Sequence, residues 1–246
     1  MPTPIPSPAE RKLVNQLVAT YLQQQDKIGV FMNQLLSALT DSPELSPHVH
    51  SLKSRLKDPK HLREKLFRKI AKCRSEGTPF EIEPDNLFSQ ITDLAGIRVL
   101  HLYTRQIKDI DSQLREIFDE FKYRLREGPL ARTWDDESRR FFNDCGIETQ
   151  DSETLYTSVH YVVESASRTL FTCEIQVRTL MEEVWGEVDH LINYPKPTTN
   201  APCGEQIKVL ARVTSSASRL VDAIFFTYEE EKRQSARATR RRRRTR

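Results

Sequence analysis

The sequence predicts an α+β fold in which a mixed β-sheet carries helices on its flanks. Two observations support this prediction. Segments whose apolar residues recur at helical spacing alternate with short strand-like segments, in the order helix, helix, strand, helix, strand, strand, helix, helix. The hydrophobic and charged fractions, 37% and 30% over 246 residues, are typical of a soluble chain with one substantial core.

An amphipathic helical segment opens the chain. Apolar residues recur at helical spacing through residues 8–40, and Ser7 with Pro8 is typical of a helix start. Ser42-Pro43 then ends the pattern. We expect one long helix or two here, and we assign residues 1–45 to an N-terminal helical segment.

The elements of the central region follow from periodicity and from turn residues. Residues 124–152 are polar and are expected to be irregular, and residues 46–200 form the predicted core domain. Helices are predicted near residues 59–73, 84–91, 107–121 and 180–192, and strands near residues 97–102, 156–164 and 169–178.

The C-terminal region is predicted to be a helix followed by a basic tail. Residues 201–232 carry an apolar series, from Ile207 to Phe225, that can cap the sheet or mediate oligomerisation; capping is the simpler interpretation. Residues 232–246 contain nine basic residues and no acidic ones. We predict that residues 233–246 are a disordered basic tail, which either contacts RNA or a ribosome through phosphates or is simply solvated.

The sequence also indicates where in the cell the protein is expected to lie. No apolar run approaches the ~20 residues that span a bilayer, and residues 1–6 lack the features of a signal peptide. The four cysteines have no metal-ligand spacing and are expected to be reduced thiols. We therefore expect a cytoplasmic protein without membrane contact.

A strand with a charged face points to phosphate chemistry. Side chains alternate across a sheet, so Glu174, Gln176 and Arg178 share one face, which is costly unless that face lines a site. Asp93 lies where the preceding strand begins. Two carboxylates on neighbouring strands can hold Mg²⁺. The alternative is a pair of structural ion pairs, Asp93 with Arg98 and Glu174 with Arg178.

A cationic segment precedes these strands. Lys53, Arg55 and Lys57 alternate along an extended stretch, and Lys65 and Arg68 lie on one face of the next helix. Such a series can neutralise a triphosphate, or it can be an ordinary solvated face. No glycine-rich phosphate loop is present in the sequence, so side chains would have to hold the phosphates.

A third strand presents Tyr156, Ser158 and His160 on one face. An aromatic ring at the mouth of a site can stack on a base, and an imidazole can bind a phosphate or a hydroxyl. Ordinary half-buried packing is the alternative for each of these residues taken alone.

These motifs together resemble the synthetase domain of the RelA/SpoT family. The residues that carry the resemblance are, in order, Arg55-x-Lys57, Lys65-x-x-Arg68, Asp93-x-x-Gly96-x-Arg98, Tyr156-x-Ser158-x-His160, Glu174-Ile175-Gln176-Val177-Arg178-Thr179, Trp185 and Tyr194. The resemblance covers about residues 50–195, without a counterpart of the family's hydrolase domain, and so indicates a small alarmone synthetase. It implies a nucleotidyltransferase-like fold, transfer of pyrophosphate from ATP to the 3′-hydroxyl of GDP or GTP to give (p)ppGpp and AMP, and assembly as a tetramer.

The resemblance also implies roles for individual residues. Asp93 and Glu174 are expected to be catalytic and to bind Mg²⁺, with Glu174 sharing the metal or acting as the base. The expected ATP-binding residues are Arg55, Lys57, Lys65, Arg68 and Arg98, and the expected acceptor-binding residues are Tyr156, Ser158, His160, Gln176 and Arg178.

Two departures from the family pattern leave the acceptor open. Leu155 and Thr157 stand where small synthetases usually have a glycine and a basic residue. The absence of a basic side chain at residue 157 weakens the assignment of GDP or GTP as the acceptor. The alternatives are transfer to adenine nucleotides or to the 3′ end of tRNA, or a catalytically inactive module that binds nucleotides or RNA.

Overall fold

The computed structural model describes residues 6–152, 154–194 and 196–244, with backbone alone for residues 237–244. Its elements are α1 (Pro8–Thr40), a 3₁₀ turn (Ser46–His48), β1 (Ser51–Leu56), α2 (Pro59–Glu76), α3 (Leu87–Gln90), β2 (Ala95–His101), α4 (Gln106–Glu120), β3 (Arg124–Thr133), α5 (Asp136–Asp144), β4 (Glu148–Asp151), β5 (Ser158–Glu164), β6 (Thr172–Thr179), α6 (Leu180–Asn193) and α7 (Ala201–Arg244).

The strands form one mixed six-stranded sheet in the order β1-β2-β6-β5-β3-β4. β2 pairs with β6 and β3 with β4 in parallel, whereas the β1–β2, β5–β6 and β3–β5 pairs are antiparallel. Helices flank this sheet, so the predicted α+β class with a mixed sheet is confirmed.

The main core lies on one face of the sheet. Ile97 and Val99 of β2 point to the same side as Ile175 and Val177 of β6, and all four are buried. Helix α1 covers this face as one uninterrupted helix, started by Pro8 and by Ser7, whose hydroxyl accepts the Glu10 N–H. The apolar side chains predicted along α1 are buried, so α1 caps the sheet.

The prediction for residues 124–152 was wrong, because this region contains β3, α5 and β4. The pattern was hard to recognise because β3 pairs with β5 through two register shifts, between Leu125 and Leu130, which interrupt the alternation of apolar residues. Helix α5 has only 9 residues and buries a single side chain, that of Phe142, so its apolar pattern is too short to stand out in the sequence.

Other boundaries shift by a few residues. The strand expected from residue 156 begins at Ser158, and the strand expected from residue 169 begins at Thr172. Phe121, expected on the core face of α4, is 49% exposed because the helix ends just before it. The four cysteines are free thiols.

Helix α7 differs most from its expected extent. It continues to Arg244, past the end expected at residue 232, and so includes most of the segment predicted to be disordered. None of the helices in the described ranges combines the length and hydropathy needed to cross a bilayer.

Candidate active site

The face of the sheet opposite the core is polar across its central strands. Register places Glu174 and Gln176 of β6 beside Gly96 and Arg98 of β2, while His160 of β5 lies opposite Gln176 on the other side. Residues that pair across neighbouring strands lie on the same face of the sheet. The polar face predicted for β6 therefore extends over β2, β6 and β5. On β1, Lys53 and Arg55 continue the same face, paired with Arg98 and Gly96.

A cavity of about 160 Å³ opens on this polar face. It is lined by Lys53, Ser54, Arg55, Asp93, Gly96, Ile97, Arg98, Glu174 and Gln176. The two acidic residues singled out from the sequence, Asp93 and Glu174, therefore share one cavity, because Asp93 closely precedes β2 and β2 runs parallel to β6. Arg55, Arg98 and Gln176 complete the set of predicted site residues in its wall.

Two lysines surround Asp93. The Lys57 ammonium donates to Asp93 Oδ2 at 2.7 Å, and Lys65 Nζ lies 2.8 Å from Oδ1. Lys57 directly follows β1, and Lys65 lies on α2, whose start is fixed by the side chain of Asp58 accepting two backbone N–H groups. Burial disfavours the charged form of Asp93, but Lys65 and Lys57 outweigh it and lower the pKa of Asp93 to about 2. Asp93 is therefore an ionised carboxylate at neutral pH.

Glu174 is held by hydrogen bonds to both of its oxygens. His160 Nδ1 lies 3.0 Å from Oε1, and the Gln176 amide donates to Oε2 at 2.8 Å. The other nitrogen of His160 lies 2.6 Å from the Ser158 hydroxyl. Burial raises the pKa of Glu174, but the His160 contact outweighs it, so the pKa lies below its ordinary value. Ser158, His160 and Gln176 thus form a chain that orients an ionised Glu174.

Two arginines of the site, Arg98 and Arg178, converge on a residue that the sequence interpretation missed. Glu183, in the first turn of α6, accepts from Lys53 at 2.9 Å and from Arg98 at 3.1 Å, and it also pairs with Arg178. Arg98 pairs with Glu187 as well. The alternative ion pairs considered from the sequence, Asp93 with Arg98 and Glu174 with Arg178, are not the ones formed. The sequence signal that could have identified Glu183 is the series of glutamates that follows the β6 motif.

Tyr156 lies just before β5, at the border of the polar face. Its hydroxyl donates to Gln176 Oε1 at 3.2 Å and accepts from Arg178 Nη1 at 3.2 Å, while the Arg178 guanidinium lies 5.4 Å above the ring. The ring also contacts Trp185, with centroids 6.3 Å apart. Tyr156 and Arg178 are therefore joined to the cavity wall through Gln176.

Arg68 is the one predicted ATP-binding residue placed outside this arrangement. It lies on α2 beyond Lys65, with its guanidinium 5.5 Å from the centroid of the Tyr194 ring. His61 meets the same ring edge-on at 4.8 Å. Arg68 and Tyr194 thus form an aromatic–cationic group beside the Asp93 side of the site rather than part of the cavity lining.

The donor set of the cavity fits a hard divalent cation bound together with a substrate. No cluster of three or more His, Cys, Asp or Glu suited to a metal occurs among the described residues. Mg²⁺ commonly uses only one or two carboxylates and takes its remaining ligands from phosphates and water. Asp93 and Glu174, both ionised and both lining the cavity, meet that requirement.

Comparisons with known proteins show the family to which this chain belongs. A family model described as a region found in RelA / SpoT proteins matches residues 54–199, which include every site residue discussed above except Lys53. No curated protein matches the chain at a significant score.

Solved structures share the fold at low sequence identity. Small alarmone synthetase 1 from Bacillus subtilis is 16% identical with a TM-score of 0.54, and the match covers 88% of this chain and 97% of that chain. The same enzyme bound to its product pppGpp gives 16% identity and a TM-score of 0.54, covering 87% of this chain and 99% of that chain. A GTP pyrophosphokinase family protein from Streptococcus pneumoniae gives 17% identity and a TM-score of 0.52, covering 92% and 97%. Because the family model matches more than half of the chain, the protein belongs to the RelA/SpoT family.

Proposed function

We propose that the protein transfers the β,γ-pyrophosphate of ATP to the 3′-hydroxyl of GDP or GTP, giving (p)ppGpp and AMP. The observation that carries the proposal is the cavity in which two ionised carboxylates face lysine and arginine side chains, Asp93 from just before β2 and Glu174 from the parallel strand β6. Family membership supports it, as do the solved relatives, one of which was crystallised with AMPCPP and with its product pppGpp.

The ATP side of the site is formed by β1, β2 and α2. Arg55 and Arg98 line the cavity, and their flat guanidinium groups are suited to stacking on adenine. Lys57 and Lys65, which neutralise Asp93, have the charge and the position to turn toward a triphosphate. Asp93 and Glu174 would hold Mg²⁺, which supplies charge neutralisation at the phosphate oxygens when it is bound.

The transfer step assigns the base role to Glu174. Its carboxylate accepts the proton of the acceptor 3′-hydroxyl as the new oxygen–phosphorus bond forms at the β-phosphorus of ATP. The bond from that phosphorus to the oxygen bridging to the α-phosphate breaks, and AMP leaves. Because His160 and Gln176 already hold both oxygens of Glu174, the base is oriented before the substrate arrives. The remainder of catalysis is positioning and charge stabilisation.

Two observations favour a second candidate acceptor, the 3′ end of tRNA. Thr157 is buried against Thr133, with hydroxyls 3.0 Å apart, so it offers no charge to an acceptor phosphate. The basic end of α7 would suit a nucleic acid. An adenine nucleotide is a third candidate acceptor.

The test is a transfer assay with γ-labelled ATP and Mg²⁺, offering GMP, GDP, GTP, ADP, ATP and bulk tRNA in separate reactions. We expect label on GDP and GTP. Label on tRNA alone would identify tRNA, and not a guanine nucleotide, as the acceptor. Label on none of the acceptors would contradict the enzyme activity and favour a nucleotide-binding or RNA-binding module.

A Glu174→Gln variant provides the control for catalysis. It keeps the volume and one acceptor oxygen but cannot take a proton, so we expect transfer to fall by roughly 10²-fold or more, the range of general-base loss. ATP binding, followed by calorimetry, should be retained. Undiminished transfer would remove Glu174 from the mechanism.

A further inference from the structure

A wide groove lies on the side of the sheet that α1 and α4 cover. It encloses about 1340 Å³ and is bounded by the second half of α1 with the residues that follow it, by the end of α4 and by the turn that joins β5 to β6. We call it the α1–α4 groove. No described residue lines both this groove and the active-site cavity, so the catalytic site does not account for it.

The floor of the groove is aromatic. The Phe121 and Tyr123 rings stack with their centroids 6.1 Å apart and their planes 12° from parallel, and Phe31 meets Tyr123 edge-on at 5.9 Å. All three residues line the groove, and the half-exposed Phe121 presents its ring to solvent there. The face of an aromatic ring attracts ammonium and guanidinium groups, so this floor suits a cationic side chain.

The rim of the groove is acidic. Four of the six charged residues that line it are carboxylates, namely Asp41 and Glu44 after α1 and Glu116 and Glu120 on α4. The other two are Lys27 and Arg168, so the lining has a net negative charge. Within the described part of the chain none of the four carboxylates forms an ion pair, and only Asp41 accepts a side-chain hydrogen bond. The groove therefore carries negative charge that the described residues do not neutralise.

Two helices end at this rim with charge in an unfavourable place. The C-terminal end of a helix carries partial negative charge, and neither α1 nor α4 has a basic residue in its last turn. Asp41 caps α1, and Glu116 and Glu120 lie one turn apart near the end of α4, where like charges repel. Placements that break such local rules are expected where binding compensates them. A positively charged partner would relieve both helix ends at once.

The size of the groove favours a polypeptide over a small cation. Sites for small ligands usually enclose about 300–1000 Å³, and this groove is larger. Its carboxylates are also divided between the end of α1 and the end of α4. A segment with several basic side chains would contact both helix ends and would place a flat guanidinium group against the aromatic floor.

The chain's own basic end is fastened near the other end of α4. The Arg105 N–H, at the start of α4, donates to Asp222 of α7 at 3.0 Å, whereas the groove lies about 22 Å further along α4. The inner face of α7 buries Ile207, while Leu220, predicted on the same face, is 63% exposed. The arginines at 240–244 belong to this same continuous helix. A basic segment of another protein is therefore the occupant that the charge of the groove favours.

We infer that the α1–α4 groove is a docking site for an arginine-rich segment of a partner protein. The carboxylates at the ends of α1 and α4 pair with its basic side chains, and Phe121 stacks against one of its guanidinium groups. The inference is independent of the proposed function, because no described residue of the groove lines the active-site cavity.

The first experiment measures peptide binding to the full chain by fluorescence anisotropy. The probe is a short fluorescein-labelled peptide in which arginine and leucine alternate, and the same peptide with glutamate in place of arginine is its control. We expect saturable binding of the arginine peptide alone. Glu116→Gln combined with Glu120→Gln should raise its dissociation constant roughly tenfold, because two rim carboxylates lose their charge. Phe121→Ala should raise it roughly threefold, because an exposed aromatic contact is lost.

A matched pair of substitutions controls for net charge. Glu148 and Glu231 are exposed, lie off the groove and form no ion pair within the described ranges. Glu148→Gln combined with Glu231→Gln removes the same charge and should leave the dissociation constant within about twofold. Circular dichroism checks that each variant keeps its helices. Absence of saturable binding to the wild type, or equal weakening by the two double variants, would overturn the inference.

A further variant separates a partner from the chain's own basic end. When residues 240–244 are changed from arginine to glutamine in the full chain, the dissociation constant should stay within about twofold of the wild-type value. Clearly tighter binding would show that those arginines compete for the groove, and it would assign the groove to this chain instead of to a partner.

The second experiment locates the bound peptide by disulfide capture. Gln34 is exposed and lines the groove, whereas Gln150 is exposed on β4 and lies outside it. With one cysteine added to the arginine peptide, Gln34→Cys should capture the peptide under mild oxidation. Gln150→Cys should capture no more than the wild-type chain, whose four native cysteines set the background. Equal capture by both variants, or none by Gln34→Cys, would exclude the groove as the docking site.

Discussion

Two consecutive glutamates of α6 show how strongly position governs the chemistry of one residue type. Glu183 contacts three cations, and although burial disfavours its charge, Lys53 and the two arginines lower its pKa. Glu182 is equally buried, but there burial outweighs the nearby Arg178 and raises the pKa from the ordinary 4.5 to about 7. One residue therefore holds site cations in place, while its neighbour is a costly buried acid.

This difference predicts opposite pH effects on stability. The pKa of Glu182 is higher in the folded state, so its ionisation removes stability as pH rises from about 4.5 to 7. Glu182→Gln should therefore gain stability relative to the wild type over that range, by up to about 3 kcal/mol at pH 8. The measurement is urea unfolding at pH 5 and pH 8.

Glu183→Gln is the matched comparison for that experiment. The pKa of Glu183 is depressed in the folded state, so its contribution is present at neutral pH and disappears as pH falls. This variant should be less stable than the wild type at pH 8, with a smaller difference in acid. Parallel pH profiles for the two variants would contradict both assignments.

Ser158, His160 and Glu174 show that strand pairing, and not sequence pattern alone, determines the geometry of the site. Alternation along β5 and β6 put these side chains on one face, but only the pairing of the two strands brings His160 to 3.0 Å from the carboxylate. The chain of contacts then extends to Ser158, whose predicted role was limited to acceptor binding.

Helix α6 lies directly against the site, and a glycine permits this approach. A Cβ at Gly186 would lie 2.8 Å from Arg178 Nη1, which contacts the Tyr156 hydroxyl, and the same guanidinium pairs with Glu183. Because the obstructing atom ends a flexible side chain, an added methyl group displaces the guanidinium rather than the helix.

We therefore predict that Gly186→Ala separates stability from activity. Alanine favours the interior of a helix over glycine by about 1 kcal/mol, which offsets part of the weakened ion pair between Arg178 and Glu183, so the unfolding free energy should change little. Transfer activity should fall at least tenfold, because Arg178 leaves its position. Thermal unfolding and the labelled-ATP assay measure the two effects.

Gly204→Ala is the control for this prediction. A Cβ at Gly204 meets no atom within 4 Å, so this variant should keep its activity. Equal activity losses in both variants, or none in Gly186→Ala, would show that the α6 glycine is not needed for the position of Arg178.

The distribution of charge divides the whole molecule into an acidic body and a basic end. Basic side chains at the site are paired with carboxylates, as around Asp93 and Glu183. Residues 234–246, in contrast, contain seven arginines and no acidic residue. The densest positive charge of the chain therefore lies at its C-terminal end, where we expect RNA phosphates to bind.

Removal of residues 233–246 tests this division. We expect nucleotide transfer to persist, because every residue that lines the cavity precedes the deletion. Affinity for single-stranded RNA should fall, and the log–log salt dependence should flatten by about 0.7 for each phosphate that the shortened chain no longer neutralises. Filter binding at several salt concentrations measures the slope. An unchanged slope would identify the basic end as a solvated extension.

The order of helical and strand-like segments was sufficient to predict the α+β class with a mixed sheet, and the ordered motifs were sufficient to indicate the family. Those features are local, since the polar and apolar faces of a strand follow from its own residue order. Residues 124–152 were misjudged because β3 is an irregular strand, stabilised by pairing with β5 rather than by its own pattern.

The sequence by itself therefore determined which residues carry charge on each element, because side-chain direction along a strand or helix depends only on local backbone geometry. Tertiary structure alone decided which charges meet: Asp93 with two lysines, Glu174 with His160, and three cations with Glu183. It also decided which face of α7 the body covers. These outcomes depend on contacts between residues far apart in the chain, where burial and neighbouring charge set both pairing and pKa.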